Sequence, residues 1–262
     1  MIHLIVATQL EANPLIKSFN LKKNISEGDF DFFSNDKYSL TITGIGKINS
    51  AIGVTHTFFK FKKKNNIWIN IGFAGIDKYK IGNLYLVNKV TDNDTKKSLY
   101  PIFITDHKIE KKNCITYGLV NKKYNDSLSD MECSGFFSSA NRYSTKEIIH
   151  SLKIVSDNKK EEIKLSDKEL INCIFQKNIP KIKKFILDIE KVWELFFKKE
   201  THINNKIDNE LQKFKYTFSE GIQMKRLLKI FYYSPYCKKK IINPKKSIKV
   251  NIKLLRELLN IT

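Results

Sequence analysis

The sequence is poor in the features that mark secreted, membrane-spanning and zinc-binding proteins. Its 262 residues include only four cysteines, and none of them forms a CxxC pair. This spacing predicts reduced thiols in a cytoplasmic protein, without a disulfide framework, and we expect neither a metal nor a cofactor. No run of 18 apolar residues occurs, so we expect no membrane span. The cysteines are Cys114, Cys133, Cys173 and Cys237.

Arginine is scarce as well, although the net charge is +20. Of 47 basic residues only Arg142, Arg226 and Arg256 are arginine. Lysine, asparagine and isoleucine share A/T-rich codons, so a biased genome accounts for the charge without a nucleic-acid partner, and lysine recognises phosphate less specifically. Residues 201–262 nevertheless hold 14 basic and four acidic residues, so this segment carries half of the net positive charge. Nucleic-acid binding is therefore disfavoured but left open.

The spacing of apolar residues predicts strands that alternate with helices. The first residues, MIHLIVAT, predict a strand at 3–7 and lack the basic segment and cleavage site of a signal peptide. Strands that are apolar throughout are typical of a sheet covered on both faces, so we expect an α/β fold. Further strands are predicted at 29–33, 38–43, 67–75, 84–90, 100–105, 114–118 and 151–157, and helices at 9–19, from 47 to about 60, at 131–143 and at 166–200.

Two predictions concern the later helices. Pro180 is predicted in the first turn of the amphipathic helix at 181–197, where proline is well tolerated. Residues 201–262 are predicted to be a folded, basic helical extension rather than a disordered arm, because their apolar residues recur at helical spacing. We therefore expect two domains, 1–200 and 201–262. The apolar residues of the extension are Phe214, Phe218, Ile222, Leu227, Leu228, Phe231, Val250, Leu254, Leu255, Leu258 and Leu259.

Four short segments follow predicted strands: TQLE at 8–11, TGIG at 43–46, GFAG at 72–75 and SDN at 156–158. Sites in α/β folds form at the carboxyl ends of the strands, so we expect these segments to meet at one edge of the sheet. Each segment alone is a weak signal, because a glycine after a strand is usually only a turn.

Each candidate residue also has an ordinary structural explanation. Glu11 is a solvated first-turn acid or a site residue. The segment 43–47, TGIGK, either cradles a phosphate or simply connects a strand to a helix. The segment 72–75 either lets a ligand approach the backbone closely or is only a packing turn. Glu132 points into a pocket or is a structural carboxylate bonded to backbone amides. Asp157 belongs to a site or caps a following helix.

The ordered set of motifs narrows these alternatives. An acid follows the first strand, TGIGK leads a helix, NIGFAG precedes IGNLYLV, Met-Glu precedes a helix and Ser-Asp follows a late strand. In this order the chain resembles the nucleoside phosphorylase/nucleosidase superfamily over about residues 1–200. It is most similar to methylthioadenosine/adenosylhomocysteine nucleosidases and futalosine hydrolases. The resemblance implies a three-layer α/β sandwich around a mixed sheet, with helices on both sides.

The resemblance also implies roles for five residues. Met131 and Glu132 match the element that binds the sugar 2′- and 3′-hydroxyls. Asp157 matches the proton donor to purine N7, and Ser156 helps to hold the base. Glu11 matches the acid that positions the attacking water. The implied reaction is hydrolysis of the N-glycosidic bond of a purine nucleoside or 5′-thio-nucleoside, in which the leaving base must be protonated and the water activated.

The first loop favours water over phosphate as the nucleophile. Phosphorylases of this superfamily carry a Gly-Asp-Pro-x-Arg-like element there, whereas residues 7–14 read ATQLEANP and contain neither glycine nor arginine. A carboxylate at this place would repel phosphate. Phosphorolysis stays the alternative, together with a non-catalytic or nucleic-acid-associated protein on the same scaffold.

The chain departs from the nucleosidases at several positions. Lys153 stands where an arginine is usual, which keeps the charge but loses the bidentate fork. Phe73 replaces a small hydroxyl residue, and Tyr117 or Tyr124 substitutes for the segment that reads the purine. Gly46, Phe73 and Lys153 are predicted to bind the substrate together with Met131, Glu132 and Ser156. The partner is predicted to be a small nucleoside, and a homodimer is left open.

Overall fold

Two units make up the structure, a computed structural model: residues Met1–Val192 and Trp193–Thr262. The domain boundary predicted at residue 200 stays a prediction. Cys237 and Asp29, the first residue of a predicted strand, lie outside the described residues. The described residues are 1–24, 30–62, 66–164, 167–235 and 242–260.

A mixed ten-stranded sheet forms the centre of the amino-terminal unit, in the order β10-β6-β8-β9-β5-β1-β4-β3-β2, with β7 beside β6. Strand β1 lies parallel to both β4 and β5, and β5 lies parallel to β10. Because β10 also pairs with β5, five strands close into a ring in the order β10-β6-β8-β9-β5. The strands are β1 Ile2–Val6, β2 Lys22–Lys23, β3 Asp31–Ser34, β4 Tyr38–Ile42, β5 Ile67–Gly75, β6 Leu84–Asp92, β7 Ser98–Leu99, β8 Lys111–Thr116, β9 Leu128–Asp130 and β10 Ile149–Asp157.

Helices flank this sheet and carry ordinary start signals. The first helix begins with a capping box in which Thr8 and Glu11 bond to each other's backbone amides. The predicted α/β fold with a mixed sheet and a helical carboxyl-terminal region is therefore confirmed. The helices are α1 Gln9–Ser18, α2 Lys47–Phe61, α3 Cys133–Ala140, α4 Lys168–Leu211, α5 Phe218–Tyr233 and α6 Ile248–Leu259, with a 3₁₀ turn at Lys146–Ile148.

One hydrophobic cluster of the amino-terminal unit lies between the sheet and helices α2 and α3. Every residue of β1 and the first seven residues of β10 are buried, as expected for strands covered on both faces. Trp68 of β5 and the adjacent Phe136 and Phe137 of α3 are the largest buried side chains in this cluster. This packing fixes the strand ends from which the candidate site is built.

The strand predicted at 100–105 is wrong. The structure has no strand there; the nearest one, β7, ends at Leu99. Ile102 and Ile104 are about half exposed, at 44% and 47%, so their apolar character does not reflect burial in the sheet. Pro101 also lacks the backbone amide that a strand ladder needs.

The placement of Pro180 is wrong as well. It lies in the interior of α4 rather than in a first turn. The buried face of α4 continues across it, with Phe175 and Ile179 before it and Ile182 after it. Burying each such side chain contributes about 1.5–3 kcal/mol, so two or three of them offset the roughly 3 kcal/mol that an interior proline costs.

The carboxyl-terminal unit has its own core, built by the end of α4 together with α5 and α6. Of the predicted apolar residues, four are buried and three are exposed. The buried ones are Leu227, Leu228, Phe231 and Leu255, and the exposed ones are Phe218, Ile222 and Val250. A capping box of Thr217 and Glu220 starts α5. The prediction of a folded helical extension is confirmed. Within the described part of the chain, no helix is both long and apolar enough to cross a membrane.

Candidate active site

A cleft of about 180 Å³ opens where several strands of the amino-terminal unit end. Each of the four predicted segments, 8–11, 43–46, 72–75 and 156–158, contributes residues to it, and residues 129–132 at the end of β9 contribute as well. Six of the eight predicted site residues line this cleft. They are Glu11, Phe73, Met131, Glu132, Ser156 and Asp157.

Both carboxylate oxygens of Glu11 accept hydrogen bonds, one from the segment after β1 and the other from β5. Its Oε2 accepts hydrogen bonds from the amides of Ala7 (3.1 Å) and Thr8 (2.9 Å), and from the Thr8 hydroxyl (3.0 Å). Its Oε1 accepts one bond, from the Phe73 amide on β5, at 3.0 Å. Glu11 is only 5% exposed, so it is not the solvated first-turn acid that was the alternative. Oε1 keeps acceptor capacity on the cleft side.

Glu132 stands at the N-cap position of α3, where its side chain makes no capping hydrogen bond and instead bonds to the TGIGK turn. Its Oε1 accepts a hydrogen bond from the Gly46 amide at 2.9 Å. Gly44 and Gly46 have φ values of 81° and 106°, in the region that favours glycine. The glycines of TGIGK therefore shape a turn whose amide faces a carboxylate. Burial raises the pKa of Glu132 to about 7; Lys153 opposes this shift, and the charges of Asp130 and Glu11 add to it.

Lys153 lies behind the cleft rather than on its surface. It is 1% exposed and is not among the described residues that line the cleft. Its Nζ lies 2.8 Å from Asp130 Oδ2 and 3.9 Å from Glu132 Oε2. Burial lowers the pKa of Lys153, but the carboxylates of Asp130 and Glu132 more than offset this, and the net shift is upward. The ammonium is therefore a permanent buried cation.

Asp157 is the last residue of β10 and lines the cleft. The Ser156 hydroxyl donates to its Oδ1, and the Tyr124 ring lies beside it, next to Gly75. Any side chain at Gly75 would overlap both Asp157 Oδ2 and the Tyr124 ring, so glycine is required there. Asp157 does not cap a following helix, because Asp167 accepts the hydrogen bond from the Leu170 amide at the start of α4.

Comparison with solved structures identifies this architecture. The 5′-methylthioadenosine nucleosidase of Arabidopsis thaliana superposes with a TM-score of 0.60 at 17% identity, covering 72% of this chain and 95% of that one. The Helicobacter pylori 5′-methylthioadenosine/S-adenosylhomocysteine nucleosidase gives 0.57 at 14% identity (71% and 97%), and a futalosine hydrolase mutant from the same bacterium gives 0.55 at 13% (71% and 98%).

The chain has the nucleosidase fold. The resemblance to the nucleoside phosphorylase/nucleosidase superfamily is thereby confirmed at the level of the fold. No family model matches the sequence, and no curated protein matches it either. The identities of 13–17% leave the reaction and its substrate to be argued from the site.

On this nucleosidase fold, two of the unusual aromatic residues lie at the cleft. Phe73 lines it and packs edge-to-face on Phe175 of α4, with ring centroids 5.2 Å apart. Tyr124 lies beside Asp157. The backbone amide of Tyr117 donates to the Asp130 carbonyl at 2.8 Å. The interpretation that one of these two tyrosines reads the base stays a prediction.

Hydrogen bonds and an ion pair connect the first residues of helices α2 and α3 beside the cleft. Lys47 Nζ contacts Asp92 Oδ2 at 2.8 Å, and the Ser134 hydroxyl donates to the same oxygen at 2.8 Å. A side chain at Gly135 would overlap the Lys47 carbonyl, so α2 and α3 approach as closely as glycine allows. This network holds Gly46 against Glu132.

Sequence reasoning missed Asp130, although it lines the cleft and stands two residues before Glu132. The available signal was the second acid in SDME. Ligand atoms of Asp130, Cys114 and Cys133 lie within 4.8 Å of one another. The Lys153 ammonium already pairs with Asp130 at this place, and burial raises the pKa of the Cys114 thiol. A divalent cation would meet like charge and protonated sulfur there.

Proposed function

We propose that the chain hydrolyses the N-glycosidic bond of a purine nucleoside or a 5′-thio-nucleoside and releases the free base and the sugar. The observation that carries this proposal is the convergence of Glu11, Glu132 and Asp157 on one cleft, each from a different strand end. Removal of a purine needs an acid for the leaving base, a tolerated sugar cation and an activated water. The three carboxylates can supply these functions separately.

Glu132 is the proposed sugar-binding group. Oε1 is already bonded to the Gly46 amide, which orients the carboxylate so that its remaining lone pairs can accept the 2′- and 3′-hydroxyls. Hydrogen bonds to an ionised acceptor are about twice as strong as neutral ones. Met131, which also lines the cleft, packs against the sugar.

Asp157 is the proposed proton donor to the departing base. Its carboxyl is half-buried at the end of β10, accepts a hydrogen bond from the Ser156 hydroxyl and lies beside the Tyr124 ring. A purine that enters between Phe73 and Asp157 would bring its N7 to this group. Transfer of the proton neutralises the base as the glycosidic bond breaks.

Glu11 is the proposed water-positioning group, through Oε1, which has a single amide donor. Phosphate is disfavoured as the nucleophile because none of the described residues lining the cleft is lysine or arginine. Three carboxylates without an accessible cation repel a dianion. Lys153 cannot serve as a phosphate ligand while it is buried against Asp130.

The test is a panel of purine nucleosides and 5′-thio-nucleosides, each incubated with the purified chain with and without phosphate. We expect release of free base and free sugar at a rate that phosphate does not change. Formation of ribose 1-phosphate only when phosphate is present would establish phosphorolysis instead. Absence of base release from the whole panel would favour the non-catalytic alternative. The predicted cytoplasmic location stays a prediction.

A further inference from the structure

A single buried cation is shared unequally between two carboxylates beneath the cleft. Lys153 Nζ lies 2.8 Å from Asp130 but 3.9 Å from Glu132. The first distance is that of a direct charge-assisted hydrogen bond, whereas the second is too long for one. The ammonium therefore belongs to Asp130 and only supports Glu132 electrostatically.

Asp130 is fixed at both of its oxygens, which explains this asymmetry. Oδ1 accepts the Thr116 hydroxyl of β8 at 2.7 Å, and Oδ2 accepts the Cys133 amide of α3 at 2.9 Å. The Glu132 amide lies 3.4 Å from the same Oδ2. Thr116 is itself fixed, since its hydroxyl oxygen accepts the Ser134 amide at 3.0 Å. The carboxylate cannot turn, so the ammonium that it binds cannot move toward the cleft.

We propose that Asp130 is a positioning residue that holds the Lys153 ammonium away from Glu132, so that Glu132 keeps its acceptor oxygens for the sugar hydroxyls. This inference rests on the proposed function of the same site. Among the described residues, the one other carboxylate with an oxygen within 4 Å of the Lys153 Nζ is Glu132. Without Asp130, a direct ion pair between these two would occupy the oxygens that the sugar needs.

The surroundings of Glu132 support this arrangement from each packed element. Lys153 on β10 attracts its charge, Asp130 on β9 and Glu11 on α1 repel it, and the Gly46 amide bonds to it. Removing the Asp130 charge and moving Lys153 closer both favour the ionised form. Both changes therefore lower the pKa of Glu132.

The test compares Asp130→Asn with the wild-type full chain by two readouts. The carboxyl signal of Glu132 is titrated by ¹³C NMR, assigned by its loss in Glu132→Gln, and we expect it to move down by about one pH unit in the variant. Steady-state kinetics on the best panel substrate are measured at pH 8, where Glu132 is ionised in both proteins. We expect KM to rise about 10-fold while kcat changes little.

Asp77→Asn is the matched control. Asp77 is also a buried carboxylate of the amino-terminal unit that pairs with a lysine, but its partner is Lys159, at 2.7 Å. Its loss should lower the melting temperature without moving the Glu132 titration. A merely structural role for Asp130 predicts the same outcome for both variants.

An unchanged Glu132 titration in folded Asp130→Asn would overturn the proposal, as would a fall in kcat at constant KM. If this variant does not fold, Thr116→Val provides the test, because it frees Oδ1 and should move the titration in the same direction by less. No movement in Thr116→Val would then count against the proposal. The NMR readout needs no substrate, so it remains decisive even if no nucleoside is hydrolysed and the proposed function fails.

Discussion

The two units of this protein differ in whether their charged side chains are buried. The amino-terminal unit buries Glu11, Asp130, Glu132 and Lys153 around one cleft. The carboxyl-terminal unit keeps its ion pairs in solvent; in the Lys225–Asp208 pair, for example, the side chains are 56% and 53% exposed. Burying charge costs free energy unless each group is paired, whereas solvated lysines cost little. Whether charged side chains are buried therefore distinguishes the candidate site from an ordinary solvent-exposed surface better than the net charge of each unit does.

The largest expected effect is on the chemical step. Asp157→Asn should reduce base release by about 10²- to 10⁴-fold, because an amide of the same shape cannot donate the proton. Single-turnover measurements on the best panel substrate check this. Asp208→Asn, in the carboxyl-terminal unit, is the control and should turn over normally. Wild-type turnover by Asp157→Asn would remove that residue from the mechanism.

A comparably large effect, on stability alone, is expected in the other unit. Leu228 is fully buried in the carboxyl-terminal core, so Leu228→Ala should cost about 2–5 kcal/mol through lost burial and the cavity left behind. Thermal and urea unfolding measure this. The same substitution at Leu195, which is 72% exposed, should change stability by no more than about 0.5 kcal/mol. Equal losses at the two positions would contradict the assigned core.

Glu132→Gln should mainly weaken sugar recognition. The neutral amide makes weaker bonds to the two hydroxyls, so KM should rise about 10- to 100-fold. A 2′-deoxy substrate should be poor for the wild type and less discriminated against by the variant. Glu210→Gln, a surface change in the other unit, is the control. Equal wild-type rates on ribo- and deoxynucleosides would make Glu132 structural.

The pH dependence of binding sharpens the same assignment. Burial raises the pKa of Glu132 to about 7, and sugar hydroxyls bind the ionised form. Binding therefore releases a proton, and KM should fall as pH rises through about 7 and level off above it. Glu132→Gln lacks this titrating carboxyl, so its KM should not change as the pH passes through about 7. A KM change that persists in the variant would assign the titration to another residue.

The smallest effect is expected from the surface charge of the carboxyl-terminal unit. Replacing Lys213, Lys225, Lys229 and Lys249 by glutamine should change stability by about 0.5 kcal/mol or less per position and leave base release unchanged. Binding to double-stranded DNA is measured for both proteins at two salt concentrations. A strong, salt-sensitive affinity in the wild type that the variant loses would show a nucleic-acid-binding surface and favour the alternative of a nucleic-acid-associated protein.

Local sequence patterns were enough to predict much of this protein. Apolar runs predicted strands β1, β5 and β10, and helical spacing predicted the carboxyl-terminal helices, because burial in these elements follows from periodicity. The capping box of Thr8 and Glu11 is likewise readable over four residues. The acids after the strands predicted where the cleft would form, since parallel strands place their carboxyl ends together.

The tertiary structure alone decided how the charges of the cleft are shared. The bond from the Phe73 amide to Glu11 spans 62 residues, and the bond from the Gly46 amide to Glu132 spans 86. Lys153 lies 23 positions after Asp130, on another strand. These distances follow from the pairing of β5 with both β1 and β10, and strand order is a property of the whole sheet. No local pattern encodes which carboxylate a buried lysine will meet, because that depends on which strands become neighbours.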